Sequence, residues 1–77
     1  MTFALCLIKC DYQSVKNTLQ SIKGIKGVIE SHETSGPYDA ILKVTADSQD
    51  ELRSIVRNIG TISGVFAVLT AIVYNVK

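Results

Sequence analysis

The chain has no tryptophan, and it has a single proline, a single methionine and a single histidine among 77 residues. Each scarcity removes a class of function. One histidine, His32, cannot supply the convergent soft ligand set that a metal site needs. Cys10 stands alone, with no CxxC spacing around it, so no metal is expected. Catalytic triads need a base oriented by a third group, and no such arrangement surrounds His32. Its natural companion is Glu30, two residues away on the same strand face, and no catalytic residue is assigned. Aromatic residues are few, and Phe3 is the only one on a central strand, which argues against a base-stacking RNA surface.

Charge of one sign is also missing. Eight Lys and Arg against seven Asp and Glu give a formal net charge of +1, without the clustered basic footprint of a nucleic-acid binder. Gly24 and Gly27 lie between a helix end and a strand start, not between a strand and a helix N-terminus, so they build no phosphate loop. They read as chain reversals, and no cofactor is expected. The opening MTFALCLIKC has an apolar run of only about seven residues and no signal-peptide pattern, too short for a bilayer. A cytoplasmic location with no membrane contact is expected. Cys6 and Cys10, four apart on one strand, lie roughly 13 Å from each other, outside disulfide reach. They read as reduced and structural.

What is present is apolar surface: 47% of the residues are hydrophobic. A chain of this length forms one domain and buries only about 60% of the surface its unfolded form exposes. The surplus suits a sheet face or an interface, and self-association is expected.

Phe3–Lys9 is nearly continuously apolar, as for a central strand covered on both sides. Asp11 is a natural N-cap, and Val15, Leu19 and Ile22 form the stripe of an eleven- or twelve-residue helix. Gly24 stands at its C-cap position. A second strand runs from Lys26 or Gly27 toward Glu33, and Ser35-Gly36-Pro37 turns the chain into a third strand, Ala40–Thr45. Asp47 is expected to cap the second helix, with Asp50 at N3. Leu52, Ile55, Val56 and Ile59 give its buried stripe, Gly60 ends it, and a last strand extends from Val65 to Val76. That strand outruns its partners and is expected to reach toward a neighbouring subunit.

A shift of 37 positions superposes the halves: Val15 on Leu52, Leu19 on Val56, Ile22 on Ile59, Ile25 on Ile62, Gly27 on Gly64 and Val28 on Val65. Two strand–helix–strand units of this size dock into an α+β, ferredoxin-like βαββαβ fold. It has a four-stranded antiparallel sheet in the order 4-1-3-2, with both helices on one face. The other face is left bare, and an apolar face ordinarily marks an interface.

Tyr38 and Asp39 are the polar residues that the fold does not absorb. Asp39 either accepts local backbone hydrogen bonds in the turn or receives a small ligand's ammonium group. A ligand would also need an apolar wall, which Ala71, Ile72 and Val73 offer if another subunit or an adjacent edge brings them close.

GPYD at 36–39 leading into ILKV, the acidic cap run DSQDEL at 47–52, I-S-G-V at 62–65 and T-A-I-V at 70–73 together resemble the effector-binding (RAM) domain of the Lrp/AsnC family of transcriptional regulators. The likeness covers nearly the whole chain. It implies a single RAM-like domain over residues 1–77. Members commonly carry a helix-turn-helix DNA-binding domain as well; this sequence departs from them there, and a stand-alone form is expected. The likeness also implies homodimers that assemble further, often into an octamer of four dimers, with a free amino acid held between dimers. By the same resemblance the ligand-binding residues are Gly36, Tyr38, Asp39, Ala71, Ile72 and Val73. Gly-Pro stands at 36–37 where many relatives have Gly-Asp, and Ala71 where many carry a larger or aromatic residue. The functional expectation is a non-enzymatic, amino-acid-sensing regulatory domain. The alternative is a ligand-free interaction subunit that co-assembles with full-length regulators or, like the topologically similar ACT domains, with an enzyme.

Overall fold

In the computed structural model, which describes Thr2–Val73, two strands pair at the centre of an antiparallel sheet. They are β1 (Thr2–Cys10) and β3 (Ala40–Ala46). β2 (Val28–Glu33) flanks β3 and β4 (Val65–Val73) flanks β1, giving the order β2-β3-β1-β4. The expected order and the ferredoxin-like architecture are thus observed, with the first strand of each repeat in the middle. β1 and β3 pair from Thr2–Ala46 to Ile8–Ala40 without a register break.

α1 (Val15–Lys23) and α2 (Gln49–Gly60) cover one face of this sheet. Alternate residues of the central strands point into the layer beneath them: Ala4, Cys6, Ile8 and Cys10 from β1, and Ala40, Leu42, Val44 and Ala46 from β3. The helices answer with Leu19 and Ile22, and with Leu52, Ile55 and Ile59. Full burial of a side chain such as Ile22 or Leu52 contributes about 1.5–3 kcal/mol, so this layer supplies most of what a short chain has available. β1 is therefore covered on one side only by its own chain, not on both, and Leu5 and Lys9 remain exposed.

Three boundaries differ from the sequence reading. The first helix is broken: Asp11 accepts from Gln13 N–H and opens a 3-10 turn, Tyr12–Ser14, before α1 begins at Val15. At the second helix the cap is Ser48, not Asp47, because Ser48 Oγ accepts from Glu51 N–H at 3.1 Å. Glu51, not Asp50, is then the residue at N3, and its carboxylate reaches back to Asp47 N–H at 3.4 Å. β2 starts at Val28 and carries a register shift between Val28 and Glu30, so its faces do not alternate as on β1. Gly24 does cap α1, in a right-handed conformation (φ −76°). The expected extension of the last strand past Val73 falls outside the described residues.

Both repeats enter their final strand through a left-handed glycine, Gly27 at φ +103° and Gly64 at φ +97°. In each, the valine that follows donates its N–H to the isoleucine three residues back, Val28 to Ile25 O and Val65 to Ile62 O. No helix among the described residues is long and apolar enough to cross a membrane.

Candidate functional site

The turn between β2 and β3 doubles as one end of the sheet. Gly36 adopts φ +109° with open space on the side a Cβ would occupy, so its role is to turn the chain. The turn is then tied down on several sides. Thr34 donates its N–H to Asp39 O (2.9 Å) and its hydroxyl to Tyr38 O (3.0 Å). Lys9 Nζ crosses from β1 to Pro37 O at 3.0 Å.

Asp39 is fastened to β1 twice. Its N–H donates to Ile8 O at 2.8 Å, and its Oδ2 accepts from Cys10 N–H at 3.0 Å. The carboxylate thereby stands in for the backbone carbonyl that β3 would have offered had it run one pair farther. Of the two roles open to Asp39 from sequence, the local one is observed, through a cross-strand partner rather than within the turn. Its other oxygen, Oδ1, has no hydrogen-bond partner among the described residues. Tyr38 and Asp39 are both half-buried.

The last-strand residues lie elsewhere. Ala71 pairs with Leu5 and Val73 with Phe3, on the face away from the helices, whereas Ile72 pairs with Ala4 and packs against the core. Ile72, Leu52 and Val56 floor an open groove of about 320 Å³ between α2 and β4, bordered by Arg53, Arg57 and Thr70. Asp39 is bound beside Cys10, five residues along β1 from Leu5, which is about 17 Å of strand. Within one chain, then, Gly36, Tyr38 and Asp39 form one group, and Ala71 and Val73 sit at the opposite end of the sheet.

Between these ends runs the bare face. Leu5 and Leu69 are 38% and 54% exposed, and Phe3, Leu7 and Ile41 lie on the same side by strand alternation. Toward β2 the face turns polar. Glu30 contacts His32 at 3.4 Å, as its spacing suggested, and Lys43 at 3.9 Å, while Lys43 also lies 5.1 Å from the centre of the Phe3 ring.

The family model of the Lrp/AsnC ligand-binding domain matches residues 4–77. The chain belongs to the Lrp/AsnC family. A Thermus thermophilus protein, TTHA0845, has a similar crystal structure (TM-score 0.92, 26% identity, 100% of this chain and 98% of that one). Escherichia coli AsnC superposes with a TM-score of 0.89 at 25% identity over 96% of this chain and 51% of its own. A homocitrate synthase of Sulfurisphaera tokodaii is 38% identical over 74 residues, 91% of this chain. The chain spans about 15% of the length of the curated relatives it matches.

The thiols of this Lrp/AsnC domain are free and buried. Burial raises the Cys6 thiol above its ordinary value. The Cys10 thiol is raised by burial first and then by the carboxylates of Asp39, Asp11 and Glu33. Low-reactivity core thiols are the chemical consequence. Sequence reasoning missed the partners of the corner, Lys9 and the Cys10 N–H. Nothing in a one-residue register extension marks them before the strands are paired.

Proposed function

We propose that this domain binds a free amino acid at a site completed by a second copy of the chain, and that occupancy adjusts the assembly state. The reading is non-catalytic. What carries it is the separation of the two groups of candidate residues: the Asp39 corner and the Ala71–Val73 segment stand at opposite ends of one sheet. One molecule cannot supply both walls of a small pocket, but the facing or neighbouring copy can. The bare apolar face supports self-association on the same grounds. Membership in a family of ligand-binding domains supports the ligand. Homodimers that assemble further, into an octamer of four dimers, bring the corner of one copy against the last strand of another. A ligand bound there stabilises the assembly that contains its site, so affinity and oligomer size are linked.

Isothermal titration with the twenty amino acids, paired with sedimentation velocity, tests this. The expected result is binding by a narrow set of amino acids with a shift in sedimentation coefficient. A second reading, an interaction module that needs no ligand, is favoured by the match to part of a homocitrate synthase. A domain of this kind then serves as a docking or regulatory portion of an enzyme assembly, or co-assembles with full-length regulators. Thermal melts and oligomer size that stay fixed with every amino acid decide for that second reading.

A further inference from the structure

An α-amino acid presents an ammonium and a carboxylate on one carbon, and burying either charge without a partner is far costlier than burying a neutral group. Asp39 answers the ammonium alone. The other half of the complement stands beside it. Ile8 pairs with Ala40, so Lys9 and Asp39 are the next residues outward on adjoining strands. The two contacts that Asp39 makes with β1, to Ile8 O and Cys10 N–H, fall on either side of Lys9 in the chain.

Opposite charges placed this way ordinarily neutralise one another, yet Lys9 and Asp39 form no ion pair in the structure. Each is tied elsewhere. The lysine ammonium rests on Pro37 O at 3.0 Å, and Asp39 Oδ2 on Cys10 N–H. An ammonium has three donors, so the bond to Pro37 leaves Lys9 with capacity for an anion, and Oδ1 leaves Asp39 with capacity for a cation. A cation and an anion anchored side by side and kept apart are the complement of a zwitterion.

We infer that Lys9 binds the carboxylate of the ligand whose ammonium meets Asp39. The inference rests on the amino-acid reading above and names the group that reading lacks. The Pro37 carbonyl acts as the brace that aims Lys9, and an exposed bond of that kind contributes little to stability by itself.

The test is a calorimetric comparison of the unaltered protein, Lys9→Met and Lys9→Arg. Each is titrated with the twenty L-amino acids and, for those that bind, with the matching α-carboxamide, which keeps the ammonium and loses the anion. Lys9→Met keeps the apolar stem, and its fold is checked by circular dichroism. The expected result is a loss of about 10- to 100-fold for the acid in Lys9→Met, little change for the carboxamide, and retained binding in Lys9→Arg. Equal losses for acid and carboxamide make Lys9 a brace of the hairpin and overturn the inference. Unchanged affinity for the acid overturns it as well, while leaving the amino-acid reading intact. If the unaltered protein binds none of the twenty, both fall together.

Discussion

Ile55 of α2 lies against Gly27: a Cβ built on that glycine would stand 2.5 Å from Ile55 Cδ1. The same contact recurs with the halves exchanged. A Cβ on Gly64 would stand 2.7 Å from Thr18 Oγ1 of α1, and Thr18 and Ile55, like Gly27 and Gly64, are 37 positions apart. Each helix therefore packs over the strand entrance of the other repeat. The duplication is a symmetry of packing as well as of sequence.

Replacing these glycines separates two costs. Gly36→Ala meets open space and bears only the left-handed backbone, about 1–2 kcal/mol. Gly27→Ala adds overlap with Ile55 and with Thr45 O, and overpacking of that kind costs a further ~1–3 kcal/mol. Urea unfolding of the two variants is expected to rank Gly27→Ala well below Gly36→Ala. Equal losses would show that the helix contact carries no weight.

Asp39 has a structural partner for one oxygen and none among the described residues for the other, so its substitutions should divide. Asp39→Asn keeps an acceptor for Cys10 N–H and removes the charge, whereas Asp39→Ala leaves that donor without its acceptor at a cost of about 1–3 kcal/mol. Thermal melts should fall for Ala and hold for Asn, while amino-acid affinity drops in both. Retained affinity in Asp39→Asn would take the carboxylate out of ligand recognition.

The buried thiols set an alkaline limit. Below the ordinary thiol value of 9.0 both folded and unfolded chains keep them protonated, and pH has no effect through them. Above it the unfolded thiols ionise ahead of Cys6 and Cys10, whose values are raised, so the native state holds more protons and stability falls as pH rises, by up to about 1.4 kcal/mol per unit for each group. Urea titrations between about pH 8 and pH 10.5 should show a shallower decline in Cys6→Ala and Cys10→Ala variants. A slope unaltered by either substitution would contradict the raised thiols.

Leu69 sits on the bare face, 54% exposed. Leu69→Asp costs little in an isolated chain but places a charge in any interface built on that face, a penalty of several kcal/mol once buried. Sedimentation velocity is expected to report smaller species with an unchanged circular dichroism spectrum. An unaltered oligomer would move the interface to another surface.

The fold was legible because its signals are local and repeated: Leu52, Ile55 and Ile59 on one helical face, and a glycine-valine step before β2 and again before β4. The second helix cap was misread by one residue because Asp47 and Ser48 are both good caps, and only the position of the N3 carboxylate separates them. The break after Asp11 was hidden for a related reason, since Tyr12–Ser14 has no proline or glycine to mark it. At the candidate site, the turn chemistry of Gly36 follows from neighbours in sequence, whereas the half-burial of Asp39 does not. The grip of Cys10 on Asp39 and of Lys9 on Pro37 depends on where β1 meets β3. The division of Ile72 from Ala71 and Val73 follows from strand alternation, but its sense depends on which side the helices take.

The seven uninterrupted pairs between β1 and β3 join the opening strand of one copy to the opening strand of the other, so the seam of the molecule runs through its middle. A chain cut in the exposed stretch near Pro37 would yield two similar pieces, each holding a strand, a helix and a strand, and each missing the roof over its own corner. Such a piece finds what it lacks only in a twin, and the present polypeptide amounts to that pair of twins written as a single thread.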